Sequence, residues 1–127
     1  MGSPNDRRYL KTHEWHRADG DVVTIGVSRF AVEKLTDITF VEITADGEVA
    51  AGETIGEIES VKATSELYCG VAGTIVEINQ EAIDNPAVLN EDPFERGWLV
   101  RIRMSDPAQF NELLTTDQYD ASTGSPA

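Results

Sequence analysis

Lys62 lies in EIESVKATSELYCG, residues 57–70, and is the only basic side chain between Lys34 and Arg96. Val61 and Ala63 flank it, and two strand-like patterns, GETIGEIES (52–60) and TSELY (64–68), run into and out of the point. A tight hairpin there presents the amine at its tip, clear of any core. The ordinary reading of a surface lysine is a solvated charge. A lone amine on a rigid apex reads differently, as an acceptor for a modifying enzyme. Such a lysine is accessible, but it is no catalyst.

The other reactive side chains form no constellation. His13 and His16 in HEWH are one residue short of the H-E-x-x-H zinc spacing, and no third ligand presents itself. Cys69 is the single cysteine, has no catalytic partner in sequence, and reads as a buried, inert thiol. No phosphate loop, nucleophile elbow or dinucleotide fingerprint occurs. The chain reads as a non-enzyme without a metal.

The elements that would position Lys62 are short strands. DVVTIGV (21–27) and DITFVEITA (37–45) are rich in β-branched and aromatic residues, with Asp-Gly turn signals nearby. SRFAVEKL (28–35) between them predicts a short helix capped by Ser28. GTIVEIN (73–79) and WLVRIRM (98–104) alternate: Trp98, Val100, Ile102 and Met104 point inward, Arg101 and Arg103 outward. SDPAQFNELL (105–114) carries a helix-start pattern with Phe110, Leu113 and Leu114 as its stripe, and TTDQY can begin one more turn. GETIGEI and GTIVEI echo each other on either side of Lys62, as two related hairpins would. The expectation is a mainly β fold, a flattened barrel or sandwich with a short early helix and a C-terminal helix.

With 127 residues the chain has the length of one domain, read here as 9–120, with loose segments at 1–8 and 121–127. The 23 acidic and 10 basic side chains give a formal charge of −13, which repels nucleic acid and anionic lipid and favours basic protein partners. A single cysteine excludes an internal disulfide and fits a reducing compartment. Neither a signal peptide nor an apolar run of membrane-spanning length is present, so the cytoplasm is the expected location.

THEW near the start, ESVKATSELY followed by GxVxEIN, NEDPFERGWLVRI late, and the final SDPAQFNELL together resemble the H-protein of the glycine cleavage system. The likeness runs from Tyr9 to Tyr119, with the motifs in family order. It implies a barrel-sandwich, lipoyl-domain-like fold and a monomeric carrier whose Lys62 bears lipoic acid in amide linkage. That arm shuttles the aminomethyl intermediate from glycine decarboxylase (P-protein) to an aminomethyltransferase (T-protein), and dihydrolipoamide dehydrogenase (L-protein) reoxidises it. A lipoate ligase or lipoyl transferase attaches the cofactor. By resemblance, Glu59 and Gly73 serve recognition by the lipoylating enzyme, while Thr12, Glu14 and Glu66 hold the loaded arm in a cleft. Solvated acids at 14 and 66, and a tight strand entry at Gly73, are the plain alternatives.

Three positions depart from the family pattern: Cys69-Gly70 stands in place of Ser-Pro, Phe30 in place of a histidine, and Thr36-Asp37 in place of Gly-Asp. A rival within the same fold is an H-like lipoate-binding protein carrying sulfur intermediates beside a heterodisulfide-reductase-like complex, or one used in lipoate relay. Biotinyl domains place methionine on both sides of the lysine, and the lipoyl domains of 2-oxo acid dehydrogenases have Asp-Lys-Ala. Neither accounts for THEW. An unmodified interaction module is the remaining class.

Overall fold

The computed structural model describes residues 6–123. Along the chain run β1 (Arg8–Tyr9), β2 (Glu14–Asp19), β3 (Val22–Val27), α1 (Arg29–Leu35), β4 (Ile38–Ile43), β5 (Glu48–Val49), β6 (Thr54–Ser60), β7 (Thr64–Tyr68) and β8 (Gly73–Ile78). Two short helices follow, α2 (Gln80–Asp84) and α3 (Val88–Glu91), then β9 (Val100–Met104), a 3₁₀ turn (Pro107–Glu112) and α4 (Thr116–Thr123). All pairings are antiparallel. One sheet has six strands in the order β1-β2-β3-β9-β8-β5, the other three in the order β4-β6-β7.

Alternation built these strands as the sequence implied. Val100, Ile102 and Met104 are buried while Arg101 and Arg103 lie outward, and Trp98 is half-buried with the Arg101 guanidinium 4.0 Å above its ring. Val23, Ile25 and Ile102 of the large sheet share one core with Val41, Ile58 and Leu67 of the small one. Burying each such side chain stabilises the fold by about 1.5–3 kcal/mol. The architecture is therefore a mainly β sandwich whose two sheets stay separate and do not close into a barrel.

Ser28 caps α1, its hydroxyl accepting from the Ala31 N–H at 3.2 Å. The helix ends at Thr36, which adopts φ 65°, a left-handed conformation that favours glycine. The departure from Gly-Asp at this point thus carries backbone strain.

The C-terminal expectation needs correction. Residues 107–112 form a 3₁₀ turn, because Leu113 and Leu114 are drawn into extended backbone: Tyr9 and Leu114 exchange two N–H···O bonds of 2.9 Å. The α-helix comes later, as α4. Thr115 and Gln118 start it reciprocally, with Gln118 N–H donating to the Thr115 hydroxyl and Thr115 N–H to the Gln118 side chain. Helices α2 and α3 were not anticipated; Asn79 caps α2 and donates its amide to the Arg96 and Trp98 carbonyls.

Arg7, Arg8 and residues 121–123, expected to lie in loose segments, are placed in the fold. Arg7 is 5% exposed, donates to the Phe94 carbonyl at 3.0 Å, and lies 4.7 Å above the Trp15 ring, while Arg8 belongs to β1. Residues 121–123 continue α4. Residues 1–5 and 124–127 of those two segments lie outside the described residues.

Candidate functional site

The β6–β7 hairpin pairs Glu57 with Glu66, Ile58 with Ser65, and Glu59 with Thr64. Ser60 closes its turn. The Ser60 N–H donates to the Ala63 carbonyl at 2.8 Å, and the Ser60 hydroxyl accepts from the Lys62 and Ala63 N–H groups at 3.2 and 3.1 Å. This use of a serine side chain to satisfy successive backbone donors makes a stiff turn. Val61 N–H donates to the Asp37 carbonyl at 3.1 Å, tying the apex to the start of β4. Lys62 is exposed, and its ammonium makes no ion pair or hydrogen bond among the described residues. Its amine is held out, open to an enzyme.

Beside the hairpin, where β7 approaches β2 and α1, lies a cavity of about 140 Å³. Thr12, Glu14 and Glu66 all line it, over apolar walls that include Val27, Leu35, Ile58 and Leu67. Glu14 is 1% exposed. One of its oxygens accepts from the Thr12 hydroxyl and the other from the Tyr68 N–H at 2.8 Å. Burial pushes its carboxyl up to about 7, and these two hydrogen bonds pull the other way. Glu66 is exposed at the rim, where the Tyr68 hydroxyl donates to it at 2.8 Å.

A second layer holds this wall. His13, between Thr12 and Glu14, sits at φ 85°, a left-handed conformation unusual for a non-glycine residue. Its N–H donates to the Leu10 carbonyl at 3.0 Å and its carbonyl accepts from Ser28 N–H at 2.9 Å. Its Nδ1 meets the Tyr119 hydroxyl at 2.8 Å, which in turn meets the Ser28 hydroxyl at 2.6 Å. The strained residue is thus fixed from three sides, and its neighbours Thr12 and Glu14 line the cavity.

Of the residues singled out in sequence, Lys62 and Glu59 fall on the hairpin, and Thr12, Glu14 and Glu66 come together round the cavity. Gly73 belongs to the other sheet. There β8 lies so close to β9 that a Cβ at 73 would collide with the Arg103 carbonyl. Cys69 is fully buried, its thiol donating to the Ala50 carbonyl at 3.1 Å, and burial pushes its pKa up. His16 is buried too; its Nε2 accepts from Gly70 N–H at 2.9 Å, a donor that a proline at 70 would lack. Phe30 packs on His13, with ring centroids 4.8 Å apart.

The sequence reading missed Tyr68 and His13. Tyr68 stands two residues from Glu66, on the same face of a strand, and that period-two relation was the available signal. His13 needed its backbone conformation to be seen.

The family model for the glycine cleavage H-protein matches residues 7–125. The chain belongs to the glycine cleavage H-protein family. A glycine cleavage system H protein from a Cyanothece species is 48% identical over 119 residues, covering 93% of this chain and 92% of the relative. One from Staphylococcus haemolyticus is 44% identical over 125 residues, 98% of this chain and 99% of the relative. The crystal structure of a glycine cleavage system H protein from Mycobacterium marinum superposes with a TM-score of 0.86 at 40% identity, covering 95% of this chain and 98% of that one. That neighbour supports the barrel-sandwich reading for this family member. No helix among the described residues is long and apolar enough to cross a membrane.

Proposed function

We propose that this family member is the lipoyl carrier of glycine cleavage, with lipoate in amide linkage on Lys62. The observation that carries the reading is the juxtaposition of an unencumbered lysine on a serine-locked turn with a small apolar cavity that ends in carboxylates. The bound lipoyl group would supply a dithiol on a long alkyl arm, the bearer of the aminomethyl cargo between P-, T- and L-proteins. The residues present suit such an arm: Val27, Leu35, Ile58 and Leu67 accept its alkyl part, and Thr12, Glu14 and Glu66 its cationic end, the two carboxylates outnumbering the one ammonium, Lys34, that also lines the cavity.

The chain's own residues then have distinct parts. Lys62 anchors and presents. Glu14, whose carboxyl burial pushes up to about 7 so that a substantial fraction is protonated at neutrality, releases its proton when a cation enters, since an adjacent positive charge favours the ionised form. Glu66 offers a second carboxylate at the rim, and the Thr12 hydroxyl orients Glu14. Burial of this end shields the cargo from water. The chain carries and does not catalyse. Glu59, three residues before Lys62, serves the lipoylating enzyme in this reading. Gly73 is assigned the same role by resemblance alone, since the close backbone approach already requires a glycine there.

Intact mass after co-expression with a lipoate ligase tests the proposal. A single adduct of lipoyl size is expected, absent in Lys62→Ala; an unmodified wild-type chain would favour an interaction module instead. The lipoylated protein should also support glycine-dependent CO2 exchange with a cognate decarboxylase. Full lipoylation without exchange would favour the sulfur-carrying alternative.

A further inference from the structure

Strand β7 is an edge strand: β6 pairs with one side of it, and its other side borders the cleft. In an antiparallel pair, successive residues alternate between those that exchange backbone hydrogen bonds with the partner strand and those whose N–H and C=O point away from it. Three bonds fix the alternation along β7. The Ser60 N–H donates to the Ala63 carbonyl at 2.8 Å, and the Cys69 N–H donates to the Glu53 carbonyl at 3.1 Å. The Tyr68 N–H turns the other way, to Glu14 at 2.8 Å. Ser65 and Leu67 therefore bond to β6, while Thr64, Glu66 and Tyr68 direct their backbone groups to the cleft side. Tyr68 has its acceptor there in Glu14. The Thr64 N–H has none among the described residues.

From this we infer that the Thr64 N–H positions the loaded arm, donating to the acyl oxygen of the amide on Lys62 while the arm lies in the cleft. The inference rests on the reading of Lys62 as a lipoyl acceptor. Length selects the position. An extended lysine side chain puts its nitrogen about 6 Å from its Cα. A strand advances about 3.3 Å per residue, so an arm laid along β7 has its amide level with the second residue on, which is Thr64. The Glu66 N–H, about 13 Å from the Lys62 Cα, is beyond the amide's reach. The acyl chain and its sulfur end add roughly 9 Å, which carries the cargo-bearing end just past Glu66. That is where the carboxylates stand, Glu66 at the rim and Glu14 on the Tyr68 N–H. A trans amide directs its N–H and C=O to opposite sides, so it makes one bond to a strand edge. A backbone N–H is the group least often left without a partner, which selects donation to the acyl oxygen over acceptance by the Thr64 carbonyl. Pinning the amide removes freedom from the middle of a flexible chain and leaves less ordering for its end to undergo. Thr64 acts through its backbone, and its side chain has no part.

The experiment uses the full chain, lipoylated with carboxyl-labelled lipoate and loaded from glycine by a cognate decarboxylase, each step confirmed by intact mass. In amide hydrogen exchange the Thr64 N–H is expected to slow about fivefold on loading, as a hydrogen bond of ordinary net strength gives. The Ser65 N–H, already held in the ladder opposite Ile58, should not change. In isotope-edited infrared spectra the labelled acyl band should lie lower in loaded wild type than in loaded Thr64→Pro, which has no N–H at that position. Proline is tolerated there because the missing donor points off an edge strand. Thr64→Pro should also lose its aminomethyl group to water about fivefold faster. Thr64→Val, which keeps the N–H, should match wild type in all three readouts. A circular dichroism melt shows whether the proline variant is folded; if it is not, exchange in the wild type decides alone. Equal Thr64 exchange before and after loading overturns the assignment and leaves the carrier reading standing. So does an identical acyl band in wild type and folded Thr64→Pro. A wild-type chain that takes up no lipoyl group, or is lipoylated and never loaded, overturns the glycine-carrier reading and this inference with it.

Discussion

On the six-stranded sheet the arginines of β2 and β9 find carboxylates within the protein. Arg101 reaches Glu77 at 2.6 Å, Arg103 reaches Asp21 at 3.8 Å, and Arg17 reaches Glu95 at 3.5 Å. On the three-stranded sheet Glu42, Glu57 and Glu66 stand in a row and enter no ion pair among the described residues. Surface pairs contribute only about 0–1 kcal/mol each, so this difference is not mainly one of stability. It separates a sheet whose strand arginines meet carboxylates within the molecule from one whose row of carboxylates has no cation beside it among the described residues. The cleft lies at the junction: β2 of the large sheet supplies Glu14, β7 of the small sheet supplies Glu66, and Tyr68 bonds both.

The largest expected break falls on the satisfied side. In Gly73→Ala the new methyl collides with the Arg103 carbonyl, and both partners are backbone in a buried ladder, so β8 and β9 must part. A loss of roughly 3 kcal/mol or more is expected, lowering Tm by about 10 °C or more in a circular dichroism melt. A variant that melts like wild type but takes lipoate poorly would instead assign Gly73 to recognition, as the resemblance has it.

Next in size is the pH response of the junction. Glu14 titrates near 7 in the fold, against an ordinary value of 4.5, because burial penalises its charge. Its contribution is therefore complete below about pH 4.5 and is lost as pH rises through 7. Glu14→Gln, which cannot ionise, should gain on wild type by up to about 3 kcal/mol between pH 5 and 8 in urea unfolding. His16 works in the opposite window: burial lowers it to about 4, so its contribution is present above about pH 6.5 and lost on acidification. A flat difference between Glu14→Gln and wild type across pH 5–8 would mean that Glu14 is ionised in the resting cleft.

The two sheets were also unequally legible in sequence. The hairpin announced itself, because strand-like patterns on both sides of Lys62 left little freedom for the residues between. Val100, Ile102 and Met104 declared their face by alternation, and Ser28 its helix by capping chemistry. What stayed hidden depended on contacts distant in sequence. Arg7 looked like part of a leader until Trp15 and Phe94 were placed beneath it. Residues 105–114 had a helical stripe, yet pairing of Leu114 with Tyr9 drew the chain out straight. The reciprocal Thr115–Gln118 cap was readable locally, but the apolar stripe before it points to an earlier helix. The cleft needed three separate segments to converge, and only the resemblance named its residues beforehand.

A smaller effect tests how the large sheet's side of the cleft is braced. Tyr119→Phe keeps the stacking on Tyr9, whose ring lies 4.5 Å away, but removes the hydroxyl shared by His13 and Ser28. Leaving those partners without it should cost about 1–2 kcal/mol in urea unfolding. Unchanged stability would show that the Leu10 and Ser28 backbone bonds alone hold the His13 conformation.

The smallest effect carries the comparison's sign. Glu77→Gln removes the partner of Arg101 and should cost about 0.2–1 kcal/mol, as a surface pair does. Glu57→Gln should do the reverse. Glu57 faces Glu42 on one side and Glu66 on the other, so neutralising it relieves two like-charge contacts and should gain about 0.2–1 kcal/mol. Both values come from paired thermal melts at low salt, and both should shrink as salt rises, since exposed charges are screened. Opposite signs at low salt that converge at high salt identify the row as an electrostatic cost retained in the isolated protein. If Glu57→Gln lost stability as Glu77→Gln does, the small sheet would be using its carboxylates internally, and the contrast with the large sheet would lose its physical basis.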